Sequence, residues 1–358
     1  MRKIIAIVAL LTIFAMGVAI AAPSDSQRLS DVKACLDAGT GPKVTVSCVK
    51  AAMNGWVAPA PSPSPTTTTT APPPTTTTTV TPPPTTTTTT ATPPPSGDIV
   101  EFASVGHGRF RLGCGFSHRE QVDPIVAPGA TSGHMHDFFG NESTNRFSTY
   151  ETMIAAATNC DTPLDTAGYW APTLIAPDGT MVDPIRQQIY YRNRPYKEGP
   201  LALTPPDLRI IAGGPAANLG KPYPVTYWNC DGESDGGLST RYVTVPNCTG
   251  TGNGPIEAHV YFPTCWDGRT DSPDHRSHLA YPVNYNSISD SGTCPTGYPY
   301  RIQQLDIRIL YPVTNGTGYH FSDGETLIHM DFWNTWNQPE LRRLTRDCLA
   351  AGVNCEGL

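Results

Sequence analysis

The sequence predicts a mainly β fold: an antiparallel β-sandwich-like domain with long disulfide-pinned loops and few helices, preceded by a small helical unit and a disordered linker. Three observations predict it. From Asp98 onward, short apolar or alternating runs recur between clusters of Pro, Gly, Asn and Asp, a punctuation that suits strands and turns better than alternating strands and helices. Ten cysteines occur without any Cys-x-x-Cys pair, which points to disulfides in an oxidising compartment rather than a zinc or redox site. Between residues 57 and 97 the composition collapses to Pro, Thr, Ala and Ser, a stretch that cannot bury a core.

Taken in order, residues 1–21 carry Arg2 and Lys3, an apolar run from Ile4 to Ile20 and the small-residue pattern Ala19-Ile20-Ala21, which reads as a secretory signal peptide cleaved after Ala21. An uncleaved anchor is the alternative, since the run is near the lower length for spanning a bilayer. After cleavage no stable membrane insertion is expected, and the location is secreted, extracellular or cell-wall associated. Residues 22–56 form a small unit with Leu29, Val32 and Leu36 at helical spacing, a second short helix from about Val46 to Asn54, and Cys35 and Cys48 placed to staple the two. A unit this small needs such a staple. Residues 57–97 are a semi-rigid Pro/Thr-rich spacer suited to O-glycosylation.

Residues 98–358 are the β-rich domain. Its candidate strands are Tyr169 to Ile175, Gln187 to Arg192, Leu208 to Ala212, Pro255 to Phe262, His278 to Val283, Arg301 to Val313 and Glu325 to Trp333. Its candidate helices are Ser148 to Ala156 and Gln338 to Ala351, the second with Leu341, Leu344 and Cys348 on one face. Eight cysteines fall here and allow 105 connectivities, among which sequence does not choose; pairing in chain order is the expectation because each such loop is short and cheap to close: Cys114 with Cys160, Cys230 with Cys248, Cys265 with Cys294, Cys348 with Cys355.

The formal charge of −7 argues against nucleic acid as a partner, which requires a basic face. The chain has no His-Glu-x-x-His helix, phosphate-binding P-loop or dinucleotide fingerprint, so the common metalloprotease and nucleotide-dependent classes lose their basis. Paired-carboxylate glycosidase chemistry has no short motif and stays open.

The densest reactive cluster is Gly133-His134-Met135-His136-Asp137-Phe138-Phe139-Gly140. In an extended strand His134 and His136 share a face, which suits metal ligation, catalysis or substrate hydrogen bonding, or a structural network. In Leu327-Ile328-His329-Met330-Asp331-Phe332-Trp333, alternation sends Ile328, Met330 and Phe332 to a core and His329, Asp331 and Trp333 to the opposite face. The run Ile256 to Phe262 repeats this logic with Glu257, His259 and Tyr261. If the two strands share a sheet, these groups line one groove suited to sugar stacking and hydrogen bonding. Finally, Cys265-Trp266-Asp267-Gly268 and Asp274-His275-Arg276-Ser277-His278 supply Asp267, His275, Arg276 and His278. Arg276 suits a carboxylate or phosphate through its fork, or fixes Asp274 or Asp267 in place.

Together with Phe110 to Cys114 and Asp123-Pro124-Ile125-Val126, these runs resemble the secreted domain-of-unknown-function family 1996 of actinobacteria and fungi, from about Ile99 to Cys348. The resemblance implies an extracellular protein, and the wall- or carbohydrate-associated modules of similar fungal chains imply polysaccharide. It supplies no catalytic roles.

The function expected is therefore action on, or binding of, cell-wall or environmental polysaccharide, including metal-assisted or carboxylate-based glycan hydrolysis. Asp137, Glu257 and Asp331 are the candidate acids or bases. His259, Tyr261, Asp267, His275, Arg276, His278 and Trp333 are the candidate substrate contacts, and His134, His136 and His329 the candidate ligands of a divalent metal, copper or zinc. The alternatives are a non-catalytic carbohydrate-binding module and an extracellular copper- or zinc-binding protein.

Overall fold

The computed structural model describes residues 99–194, 199–231, 240–250, 254–286 and 291–356. The expected signal peptide, the 22–56 unit with Cys35 and Cys48, and the linker lie outside the described residues.

Eleven strands build two sheets: β1 (Arg109–Cys114), β2 (Phe116–Glu120), β3 (His136–Gly140), β4 (Gly168–Pro172), β5 (Arg186–Arg192), β6 (Arg209–Gly213), β7 (Thr226–Cys230), β8 (Ile256–Tyr261), β9 (Gln304–Leu310), β10 (His329–Trp333) and β11 (Asn354–Cys355). One sheet has the order β6-β10-β4-β3-β2, the other β7-β8-β9-β5-β1-β11. All pairs in them are antiparallel except β1 with the short edge strand β11.

The sheets stack through their apolar faces, the sandwich the sequence predicts. Phe139, Tyr169, Ala171, Ile210, Ala212, Met330 and Phe332 from the first sheet join Ile189, Ile256, Ala258, Val260, Ile307 and Ile309 from the second in one core. Burial of each Val, Ile, Met or Phe side chain among these contributes about 1.5–3 kcal/mol. The opposite face of the first sheet is not solvated: Phe138, Trp170, Ile211 and Trp333 are covered by Val122 and Ile125 of the loop between β2 and β3. Both faces of β3 and β4 are therefore buried, although one carries polar groups.

The two strands whose polar faces the sequence invited into one groove lie in different sheets: β8 in the six-stranded and β10 in the five-stranded one. Each turns its apolar face inward, so their polar faces point to opposite sides of the sandwich.

Most expected strands recur with ends shifted by a few residues, but the His278 to Val283 run splits into Leu279–Ala280 and Val283–Asn286, which belong to different sheets. The run from Tyr169 breaks after Pro172 and resumes as Leu174–Ile175, and the run from Arg301 keeps Tyr300–Arg301 and β9 as separate strands. The helices shorten to α1 (Tyr150–Ile154), whose N-cap Thr149 and Thr152 bond each other's backbone, and α2 (Gln338–Leu344), capped by Asn337 and continued by a π-helical turn, Thr345–Ala350. Leu341, Leu344 and Cys348 are all buried. The four disulfides pair in chain order as expected. Among the described residues no helix is long and apolar enough to cross a membrane.

One polar network crosses the core. The Tyr169 hydroxyl donates to Asp165 Oδ2 (2.9 Å) and lies 2.7 Å from the Tyr191 hydroxyl, which accepts from Trp336 Nε1 (2.8 Å). Complete burial pushes the Asp165 carboxyl up to about 8, against the opposing pull of its bonds from Ala167 N and Tyr169. The unfolded chain releases this proton near 3.9, so the folded state binds the extra proton between these values. Stability should therefore fall as pH rises from about 4 to about 8. Denaturant titrations across that range are expected to show this decline in the wild type and a flatter profile in Asp165→Asn; identical slopes would remove Asp165 as its source.

Candidate functional site

The site begins with strand register. His136 pairs with Pro172 of β4, and Asp331 of β10 pairs with Trp170 on the other side of the same strand. His329, two residues before Asp331, is thus level with Pro172 from the opposite side. Two strands separated by a third are roughly 9.6 Å apart, yet the His136 and His329 ring centroids close to 5.9 Å over the compact proline. His134, just before β3, completes the cluster at 4.3 Å from His136 and 5.2 Å from His329. Its backbone is held by Ser132 Oγ, which donates to the His134 carbonyl, and by Thr173 N, which donates to Met135 O.

Gly213 keeps β6 tight against His329. It pairs with His329 at φ +83°, and an added Cβ would stand 2.6 Å from Ile328 O and 3.3 Å from His329 Cα. A side chain there is excluded both by clash and by backbone strain.

Hydrogen bonding orients the imidazoles. His136 Nδ1 faces the Val122 carbonyl at 2.8 Å, and His329 Nδ1 faces Asp323 Oδ2 at 3.1 Å. Both partners are acceptors, so each Nδ1 carries a proton; His136 Nε2 faces the cluster, and His329 Nε2 lies 3.7 Å from Asp331 Oδ2. His136 Nε2 and His134 Nε2 are buried with no hydrogen-bond partner, as are both carboxylate oxygens of Asp331. One ligand atom from each of the three histidines lies within 4.8 Å of the others, and Asp123, His136 and Asp331 form a second such group sharing His136.

The electrostatics match. Burial, then His134 and His329, hold His136 well below the ordinary histidine value. Burial and the neighbouring His329 also lower His134. Burial pushes Asp331 well above the carboxylate range, helped by Asp123 and opposed by Arg276. Burial thus disfavours charge on His134, His136 and Asp331 alike, a cost that a cation coordinated by the imidazoles and the carboxylate would offset.

It opens into a pocket of about 550 Å³ walled by His134, His329 and Asp331 on one side and by Pro273 to Arg276 on the other. The latter loop is bolted down by His278, buried, with Nδ1 2.9 Å from Ser272 Oγ and Nε2 2.7 Å from Arg209 O. His275 reaches the pocket in an ion pair with Asp271 at 2.9 Å.

The structure thus unites His134, His136, His329 and Asp331 with His275 and Arg276, but not the remaining sequence candidates. Asp137 points to the opposite side of β3, where it accepts from Arg119 Nε (2.6 Å) and Thr173 Oγ1 (2.8 Å). Glu257, His259 and Tyr261 lie on the outer face of the other sheet, with Glu257 Oε2 2.7 Å from His259 Nε2 and the Tyr261 hydroxyl accepting from Tyr227. Asp267 is tied to Arg269 by two bonds of 2.8 and 2.6 Å, and His278 is an anchor. Trp333 is 1 % exposed with Nε1 donating to Asp207. It offers no stacking platform.

Sequence reasoning assigned no role to Asp123 and Asp323. Asp123 caps its own turn, accepting from Ile125 N and Val126 N. Asp323 sits in the 321–325 turn, where Phe321 N donates to Glu325 O, and no periodic signal links it to a histidine six residues on. The strand alternation that found His329 could have found it only through the turn that folds it back.

Fold and site define a disulfide-pinned β-sandwich with a buried histidine–carboxylate cluster opening to a pocket. Residues 123–336, more than half the chain, match the family described as Domain of unknown function (DUF1996), and the chain belongs to that family. No curated protein and no solved structure matches it. The matched span contains every residue of the cluster.

Asp137 is buried against Arg119, which also pairs with Asp183 at 2.9 Å, so Asp137→Ala is expected to cost about 1–3 kcal/mol in urea unfolding by removing the acceptor shared by Thr173 Oγ1 and Arg119 Nε, without changing the ligands of the cluster. Loss of activity at unchanged stability would instead make Asp137 catalytic.

Proposed function

We propose that this domain is a metal-dependent hydrolase of cell-wall or environmental polysaccharide, exported from the cell, with its cation held by His134, His136, His329 and Asp331. The observation that carries the reading is that His136 shares ligand range with His134 and His329 and also with Asp331 and Asp123, while His136 Nε2, His134 Nε2 and both Asp331 oxygens are buried without a hydrogen-bond partner. Three imidazole nitrogens and a carboxylate suit zinc or copper. A bound divalent cation supplies Lewis acidity and lowers the pKa of coordinated water towards 7.

The remaining roles belong to the chain itself. Asp323 and the Val122 carbonyl fix the two Nδ1 protons and thereby aim the lone pairs. Asp331 would hold the cation through one oxygen, leaving the second placed to take a proton from water and return it to the departing sugar oxygen. The pocket beside His134 and His329 admits the scissile bond. Export is supported by the four disulfides together with the N-terminal apolar run and the Pro/Thr-rich spacer. The polysaccharide substrate rests on that spacer and on the family resemblance.

One observation favours a second reading. With both Asp331 oxygens unpartnered, the three histidines and Asp331 can close a four-coordinate shell by themselves, which suits an extracellular copper- or zinc-binding protein without turnover. The binding-module reading loses its aromatic platform, since Trp333 and Tyr261 are 1 % and 6 % exposed.

Metal analysis of tag-free protein, before and after incubation with zinc or copper, is expected to give one ion per chain, falling at least tenfold in His136→Ala and His329→Ala. An empty wild type after metal supply would sink the proposal. Reducing-end release from a polysaccharide panel separates the two metal readings: chelation should abolish release from a hydrolase, and a loaded protein releasing nothing is a metal binder.

A further inference from the structure

We propose that the substrate of this centre carries an oxyanion, a carboxylate or phosphate group on a glycan, and that Arg276 grips it beside the metal. The inference rests on the metal reading and deepens it by naming the substrate class.

Arg276 stands in the pocket wall facing His329 and Asp331. Its Nη1 donates to Ile211 O at 3.1 Å, and Ile211 is the residue paired with Asp331 across β6 and β10. The guanidinium is thereby fixed to the strand that borders the cluster. Among the described residues no carboxylate forms an ion pair with it. Its neighbours differ: Arg209 is paired with Asp207 and Asp271, and Arg269 with Asp267.

The adjacent acid, Asp274, is spent within its own turn. One of its oxygens accepts from Ser272 Oγ (2.8 Å), Ser277 N (2.9 Å), Ser277 Oγ (2.8 Å) and Arg276 N (3.2 Å). Asp274 thus shapes the loop that presents Arg276 without neutralising its fork. Anchoring by His278 adds rigidity. A preorganised guanidinium with most of its N–H donors free, at the mouth of a metal site, is built for bidentate recognition of a carboxylate or phosphate. A neutral sugar would leave that fork without an anion. The apolar lip at Val126, 56 % exposed and lining the same pocket, leaves room for the body of the sugar.

The test uses the full chain loaded with cobalt, its metal content measured first, and follows the visible spectrum during titration with inorganic phosphate, glucuronate and glucose. Wild type is expected to respond to phosphate or glucuronate and not to glucose. A tighter response to phosphate marks a phosphate-bearing glycan, and to glucuronate a uronate. Arg276→Ala should weaken the anion on the order of 10- to 100-fold, with metal content unchanged, and Arg276→Lys should weaken it less. Anion affinity equal to wild type in both variants overturns the assignment while leaving the metal centre standing, as does an equal response to glucose. A wild type that takes up no metal overturns both.

Discussion

Everything about the site depends on one unfavourable arrangement: His134 Nε2, His136 Nε2 and both Asp331 oxygens are buried without a hydrogen-bond partner. In water each would be solvated; here each forfeits hydration without compensation. Such an arrangement persists only where the surrounding structure over-determines it. Register over Pro172, the side-chain-free position at Gly213, and the bonds from His136 to Val122 and His329 to Asp323 all fix the rings facing one another. The sandwich core behind them supplies the stability that an uncompensated cluster costs.

The other sheet offers a control built from similar residues. Its outer face carries Glu257, His259, Asp306 and Arg308, also buried. There Asp306 meets opposite charge, 2.9 Å from Arg192 and 3.3 Å from Arg308, and Glu257 lies 2.7 Å from His259. Burial alone would raise the Asp306 carboxyl, yet Arg308 and Arg192 hold it well below the usual range. Tyr227 stacks on His259 at 4.6 Å. The contrast between a charge-compensated face and an uncompensated one separates a structural polar network from a ligand site, although both read alike as alternating strands.

What the sequence revealed and concealed follows from the range of each signal. Strand alternation is local, so the inward Met330 and Phe332 and the outward His329 and Asp331 were legible, as was the His134–His136 pair. Disulfide pairing was not fixed by spacing, which leaves many connectivities open, although the chain-order pairing favoured by cheap short loops is the one formed. Strand partnership is not local: β8 and β10 carry nearly the same pattern and belong to different sheets, which removed Glu257, His259 and Tyr261 from the site. Asp137 was misread because a run rich in reactive groups hid the parity that sends it to Arg119. Trp333 faced the expected way, but the loop over that face buries it. Asp323 and the Val122 carbonyl act through turns and backbone, which leave no pattern in composition.

The most direct test of the central claim is anomalous diffraction at the zinc edge from crystals of tag-free protein grown with zinc. The account requires a peak about 2.1 Å from an imidazole nitrogen of each of His134, His136 and His329, with an Asp331 oxygen completing the shell. A fully occupied zinc elsewhere, with the three rings left bare, would contradict it.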